Sequence, residues 1–275
     1  MSRRIVVVGA VLFVLVVVGL ALPFIVKARA KSHFVGSQNN LREVALFAGH
    51  HAKPDPKNAA RKLPAEIPAG TVALLGTPPD DRLSWVVAVL PGLDQRRVPS
   101  EQLLGAIDRT KPWNDDTNQR AARTRVTVLL CPESTPDTPP GAPAVTCYVG
   151  IGGLGANAAT LPVESPRAGA MRYDTPTPFD RITDGLSQTL LFGESRNEVG
   201  PWLRGGFATV RGLDDAPGVL PLIGTGGQFG GYFPDAANFA LCDGSVRPFS
   251  PRVEPRVLYG LATIAGKDTD PVPGD

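Results

Sequence analysis

Residues Ile5 to Val26 run for 22 positions without a charged side chain, and nearly all of them are Val, Leu, Ile, Ala, Phe or Gly. A segment of this kind must be hidden in lipid or cut away. As a helix rising about 1.5 Å per residue, the run matches a hydrocarbon core of roughly 30 Å. Ala28-Arg29-Ala30 has the small-x-small pattern of a secretory cleavage site. The apolar run, however, exceeds the about 7 to 15 residues usual in a signal peptide, and Lys27, Arg29 and Lys31 crowd the site. The expectation is an uncut anchor at 5–26 behind a short cytoplasmic start at 1–4. Arg3 and Arg4 balance Lys27, Arg29 and Lys31 across the run, so charge alone does not orient it.

The apolar pattern continues beyond the anchor. Phe34, Leu41, Val44, Ala45 and Ala48 recur on one helical face, with Gln38, Asn39, Arg42 and Glu43 elsewhere. This predicts a helix continuing over 27–51, kinked at Pro23 and closed by Pro54 and Pro56. Glycine (30) and proline (28) together make about a fifth of the chain, which predicts many turns and few further long helices. Strands are expected at Thr71–Leu75, Arg125–Leu130, Thr146–Ile151, Thr189–Phe192, Phe207–Val210, Asn238–Leu241 and Ser245–Phe249. Leu83–Leu90 fits a buried strand or a helix start, and Glu101–Asp108 fits a helix. Cys242-Asp243-Gly244 between the last two strands marks a tight hairpin. The fold class expected is α+β: a long N-terminal transmembrane helix, then a loop-rich, mainly antiparallel β domain over 52–266 and a flexible tail at 267–275.

Little in the sequence points to catalysis. The three histidines, His33, His50 and His51, all fall in or just after the first helix, so no His-based zinc site or triad is expected in the globular part. Gly150-Ile151-Gly152-Gly153-Leu154-Gly155 resembles a dinucleotide loop, but Pro162 and Pro166 interrupt the helix that must follow, so it reads as a turn-forming loop. Asp80-Asp81, Asp115-Asp116 and Asp214-Asp215 lack the alternating spacing of a calcium loop. Glu194, following an apolar strand, reads either as a catalytic acid or as a buried partner for an arginine, and the lack of a second acid or nucleophile near it favours the salt-bridged role. Of the three cysteines, Cys131 and Cys147 are the pair whose loop length suits a disulfide, with three separate buried thiols as the other reading. A net charge of +2 leaves no footprint for nucleic acid.

The order of motifs carries a resemblance. Leu22-Pro23, Lys27-Ala28-Arg29 and Gln38-Asn39-Asn40-Leu41 resemble the pilin-like start of the planctomycete family called DUF1559. Leu83-Ser84-Trp85, Lys111-Pro112-Trp113-Asn114-Asp115, Leu130-Cys131-Pro132, Tyr148-Val149-Gly150-Ile151, Asp184-Gly185-Leu186-Ser187-Gln188-Thr189, Gly193-Glu194, Gly200-Pro201-Trp202 and Phe229-Gly230-Gly231 follow in that family's order. The last match is Ala237 through Arg247, containing Asn238, Asp243, Gly244 and Ser245, read as a structural turn. The resemblance implies a protein similar to type II secretion pseudopilins. Two positions depart from it: Val14 stands where the leader's glutamate is expected after Gly9, and Phe233 where members tend to carry a histidine.

The function expected is a non-enzymatic, single-pass protein of the inner membrane that displays an extracytoplasmic domain, with the membrane and other pilin-like or secretion proteins as partners and no cofactor. The alternative is a carbohydrate- or peptide-binding module, which would present an open aromatic surface drawn from Trp85, Trp113, Trp202, Tyr148 and Tyr232.

Overall fold

The computed structural model describes residues 2–49, 54–55, 58–62, 66–93, 100–134, 139–216 and 221–266. The tail at 267–275, His50 and His51 lie outside the described residues.

Helix α1 spans Ser2–Gly49 and continues through Pro23. At 48 residues it is about 72 Å long. Its two halves differ in surroundings. From Leu12 to Ser32 nearly every described side chain is exposed, whereas from His33 onward Ser37, Leu41, Val44, Ala45 and Ala48 are buried at helical spacing. Among the described residues no helix is long and apolar enough to cross a membrane. Several early side chains of the expected 5–26 span lie outside the described residues.

The domain is built on five strands: β4 (Tyr148–Leu154), β6 (Leu190–Glu194), β7 (Val210–Leu213), β8 (Ala237–Leu241) and β9 (Val246–Phe249), in the order β7-β4-β6-β8-β9. All neighbours are antiparallel except β4 and β7. Residues of β4, β6 and β8 are buried throughout, which is why their sequences run apolar without alternation: both faces are covered. One face, with Tyr148, Leu191, Phe192 and Ala240, meets the inner half of α1; the other, with Val149, Leu190, Phe239 and Leu241, meets α5 (Pro255–Ala262) through Leu258 and Ala262. Strand β9 carries Pro248 at the sheet edge, where a missing N–H is tolerated. Gly193 is required on β6, because a Cβ there would lie 2.6 Å from the Phe229 ring.

Smaller elements complete the chain: β1 (Pro54–Asp55) with β2 (Asn58–Lys62), β3 (Glu66–Ile67) with β5 (Thr177–Pro178), and the short helices α2 (Val86–Val89), α3 (Ser100–Gly105) and α4 (Asp116–Ala122). Asp115 caps α4 by accepting the Thr117 N–H at 3.0 Å.

Several expectations are corrected. Arg125–Leu130 is not a strand; Thr127–Leu129 forms a 3-10 turn packed against α1, with Val126, Val128 and Leu129 buried and Asn40 of the helix donating to the Leu130 carbonyl at 3.0 Å. Thr71–Leu75 makes a single bridge, Thr71 to Ser84, and Leu75 is fully exposed. Phe207 sits on a 3-10 turn ahead of β7. Gly150, Gly152 and Gly153 lie within β4, where Gly153 at φ +118 lets the Gly169 backbone approach. The inner half of α1 contributes Leu41, Val44, Ala45 and Ala48 to the domain's core.

Candidate functional site

A cluster of buried polar groups, Ser37, Glu194 and Asn238, lies where α1 crosses the sheet. Strand β6 ends on Glu194, whose side chain points back under the helix and is fully buried. Ser37 of α1 donates its hydroxyl to Glu194 Oε1 at 2.5 Å, and Asn238 on β8 donates both its backbone N–H and its Nδ2 to Oε2 at 3.3 Å each. Gln38 donates to Asn238 Oδ1 at 3.2 Å, which ties the next helical residue to the same strand. The Tyr148 hydroxyl donates to the Ser37 carbonyl at 3.2 Å and lies 3.1 Å from the Ser37 hydroxyl.

Among the described residues Glu194 thus has no arginine partner, contrary to the expectation from sequence; hydroxyl, amide and thiol donors replace it. Burial pushes its carboxyl above the usual range, opposed by hydrogen bonds from Ser37, Cys131 and Asn238. A charge held in such a place costs several kcal/mol unless fully hydrogen-bonded, and the Ser37 hydroxyl and both Asn238 donors point at the Glu194 carboxyl. The result is a polar lock between helix and sheet, closed to solvent. Near the start of the buried half of α1, His33 Nδ1 pairs with Glu133 at the surface.

Cys131, Cys147 and Cys242 are free thiols. The first two share a buried cluster with Leu130 and Phe233, yet no bond joins them: the Tyr232 hydroxyl donates to Cys147 Sγ at 3.0 Å. Burial pushes all three thiols above their ordinary range. Phe233, where a histidine was expected by resemblance, packs edge-on against Phe34 of α1 at 5.0 Å.

The sequence-predicted turn forms a hairpin. Strands β8 and β9 pair with Ala240 opposite Val246, Gly244 takes φ +81, and Asp243 Oδ1 accepts the Ser245 N–H at 2.9 Å. The carboxylate pairs are dispersed: Asp80 meets Arg204 at 3.1 Å and Asp215 meets Arg167 at 2.7 Å. Among the described residues no group of three or more His, Cys, Asp or Glu could hold a metal ion.

The open aromatic surface is absent from the named residues. Trp85, Trp202 and Tyr148 are fully buried, with indole N–H groups donating to the Thr209 and Thr124 carbonyls respectively for the two tryptophans. Trp113 and Tyr232 are half-buried and already hydrogen-bonded, Trp113 to the Asp80 carbonyl at 3.1 Å. Nothing in the sequence marked Ser37 as the partner of Glu194, because 157 positions separate them.

Taken together these features define an α+β domain mounted on, and interlocked with, the inner half of one long N-terminal helix. The chain belongs to the family described as protein of unknown function (DUF1559), whose profile matches residues 35–213. That match begins inside α1, near where the helix enters the core. No curated protein and no solved structure matches the chain.

Proposed function

We propose that this protein is a non-enzymatic, pilin-like envelope protein, held in the inner membrane by the outer half of α1 and displaying its domain on the extracytoplasmic side. The change of surroundings along α1 carries this reading. Leu12, Phe13, Leu15, Val16, Val17, Val18, Leu20, Leu22, Phe24, Ile25 and Val26 stand 47–73% exposed, around the whole circumference of the helix. A monomer in water rarely leaves so much contiguous apolar surface uncovered. The exposed Lys27, Arg29 and Lys31 that follow suit a phospholipid headgroup layer. Beyond them the lock at Ser37 and Glu194 fixes the domain to the same helix, so a subunit is displayed on a stiff stalk. Val14, in place of a pilin's registering glutamate, favours display over polymerisation.

The test is extraction of native membranes with alkaline carbonate, comparing the full chain with one lacking residues 2–31. The full chain should stay in the pellet and the shortened chain should appear in the wash, with protease added to spheroplasts digesting the domain. Release of the full chain by carbonate would overturn the proposal.

A further inference from the structure

Strand β7 places Arg211 with its side chain wholly out of solvent, outside the lock described above. A guanidinium carries five N–H donors and keeps its charge in proteins. Nη2 donates to the Asn197 carbonyl at 2.9 Å and to Ser195 Oγ at 3.3 Å. Nη1 reaches Glu198 Oε2 only at 3.4 Å, and Nε has no acceptor among the described residues. The rings of Phe207 and Phe229 lie 5.1 and 5.6 Å from the guanidinium carbon. Burial lowers the Arg211 pKa to about 10, so the protein around it under-serves the cation.

Glu198 is an unusual answer to this charge. Its side chain is 67% exposed, and it is the one non-glycine with positive φ, +53, among the described residues. A glutamate is held in left-handed backbone, and the return is a single long hydrogen bond. Glu198 is also one wall of a cleft of about 520 Å³, with Asn197, Phe207, Gly212, Gly227 and Gln228. Three of those residues, Asn197, Glu198 and Phe207, touch Arg211, so the guanidinium lies directly beneath the cleft. Gln228 is satisfied internally, donating to the Gly212 carbonyl and accepting the Asp214 N–H. Phe207 keeps 38% of its surface open.

We propose that this cleft binds a carboxylate joined to an apolar group, the ligand's carboxylate replacing Glu198 on Arg211 and its apolar part lying over Phe207. Once Glu198 swings into solvent, an entering carboxylate can approach Nη1 at ordinary charge-assisted distance. A single negative charge is the match. Asp214 also lines the cleft, so a dianion such as phosphate meets repulsion that one buried cation does not offset. The ligand is a small free acid or the carboxyl terminus of a peptide, and the site needs nothing from the membrane reading.

The experiment is calorimetric titration of the detergent-solubilised full chain with 3-phenylpropionate, with N-acetyl-Ala-Ala-Phe as free acid and as C-terminal amide, and with inorganic phosphate. At least one acid should bind saturably, and the amide should bind tenfold or more weakly, by about the loss of one charge-assisted hydrogen bond. Binding by phenylpropionate alone assigns a small acid, and binding by the peptide acid alone assigns a chain end. Arg211→Gln risks unfolding the domain, so the exposed residues carry the mutational test. Glu198→Ala should tighten acid binding about threefold or more by removing the internal competitor, and Phe207→Ala should weaken it. Equal binding of acid and amide, tighter binding of phosphate, weaker binding by Glu198→Ala, or no saturable acid binding to either the native chain or Glu198→Ala would overturn the proposal.

Discussion

A chain that starts at Ala52 should fail to fold, although one that starts at Ser32 should fold. The shorter chain loses Leu41, Val44, Ala45 and Ala48, all buried between the sheet and the 3-10 turn at Thr127–Leu129. Burying a Leu and a Val is worth about 2 kcal/mol each and the two alanines about 1 kcal/mol each, or about 6 kcal/mol from the helix side. The groove they leave exposes a comparable apolar area on Phe192, Ala240 and Leu129. Losing the Ser37 hydroxyl removes a hydrogen bond to the buried Glu194 worth about 1.5–3 kcal/mol more. The sum, on the order of 10 kcal/mol, equals the whole stability of an ordinary domain, about 5–15 kcal/mol. Circular dichroism and urea unfolding of the two chains decide it. A cooperative transition from the Ala52 chain at a midpoint near that of the Ser32 chain would refute the reasoning.

Further outcomes concern single positions. Glu194→Gln should flatten the pH dependence of stability. The folded-state pKa of Glu194 is raised above 4.5, so its protonation favours folding: relative to the glutamine variant, the native chain should be most stable below that value and lose the advantage as pH rises through the folded-state pKa. Melting curves of both proteins from about pH 4 to about pH 8 check the sign, and an advantage that grows with pH would reverse it. Gly244→Ala should cost about 1 kcal/mol or more, because alanine resists φ +81, while Asp243→Asn should cost little; equal Tm values for Gly244→Ala and the native chain would reject the turn. All three thiols should resist iodoacetamide in the folded protein and all should react in denaturant, as mass spectrometry will show; a Cys131–Cys147 disulfide in non-reduced protein would contradict the free thiols seen here.

The parts of the fold that sequence exposed are those whose signal is local. Strands β4, β6, β8 and β9 were legible as short apolar runs between turn residues, and Asp243-Gly244 as a hairpin because the left-handed position there suits glycine. The amphipathic face of α1 predicted Leu41, Val44, Ala45 and Ala48 as buried. What failed depends on partners far along the chain. Arg125–Leu130 alternates like a strand, but Thr127–Leu129 closes into a 3-10 turn packed against α1. Glu194 looked like half of an ion pair because a lone buried acid usually needs a cation, and the hydroxyl that serves it comes from the first helix. The cleft over Arg211 gave no signal at all, since the strained backbone at Glu198 is visible only in three dimensions.

The central claim, one helix lipid-facing in its outer half and built into the domain in its inner half, is tested most directly by nitroxide scanning of α1 in phospholipid vesicles. Spin labels at Leu12, Leu15, Leu20 and Phe24 should relax with dissolved oxygen and remain shielded from a water-soluble nickel chelate, whereas labels at the exposed Asn39 and Leu46 should show the reverse. Chelate accessibility at all four outer positions in the presence of vesicles would contradict the account.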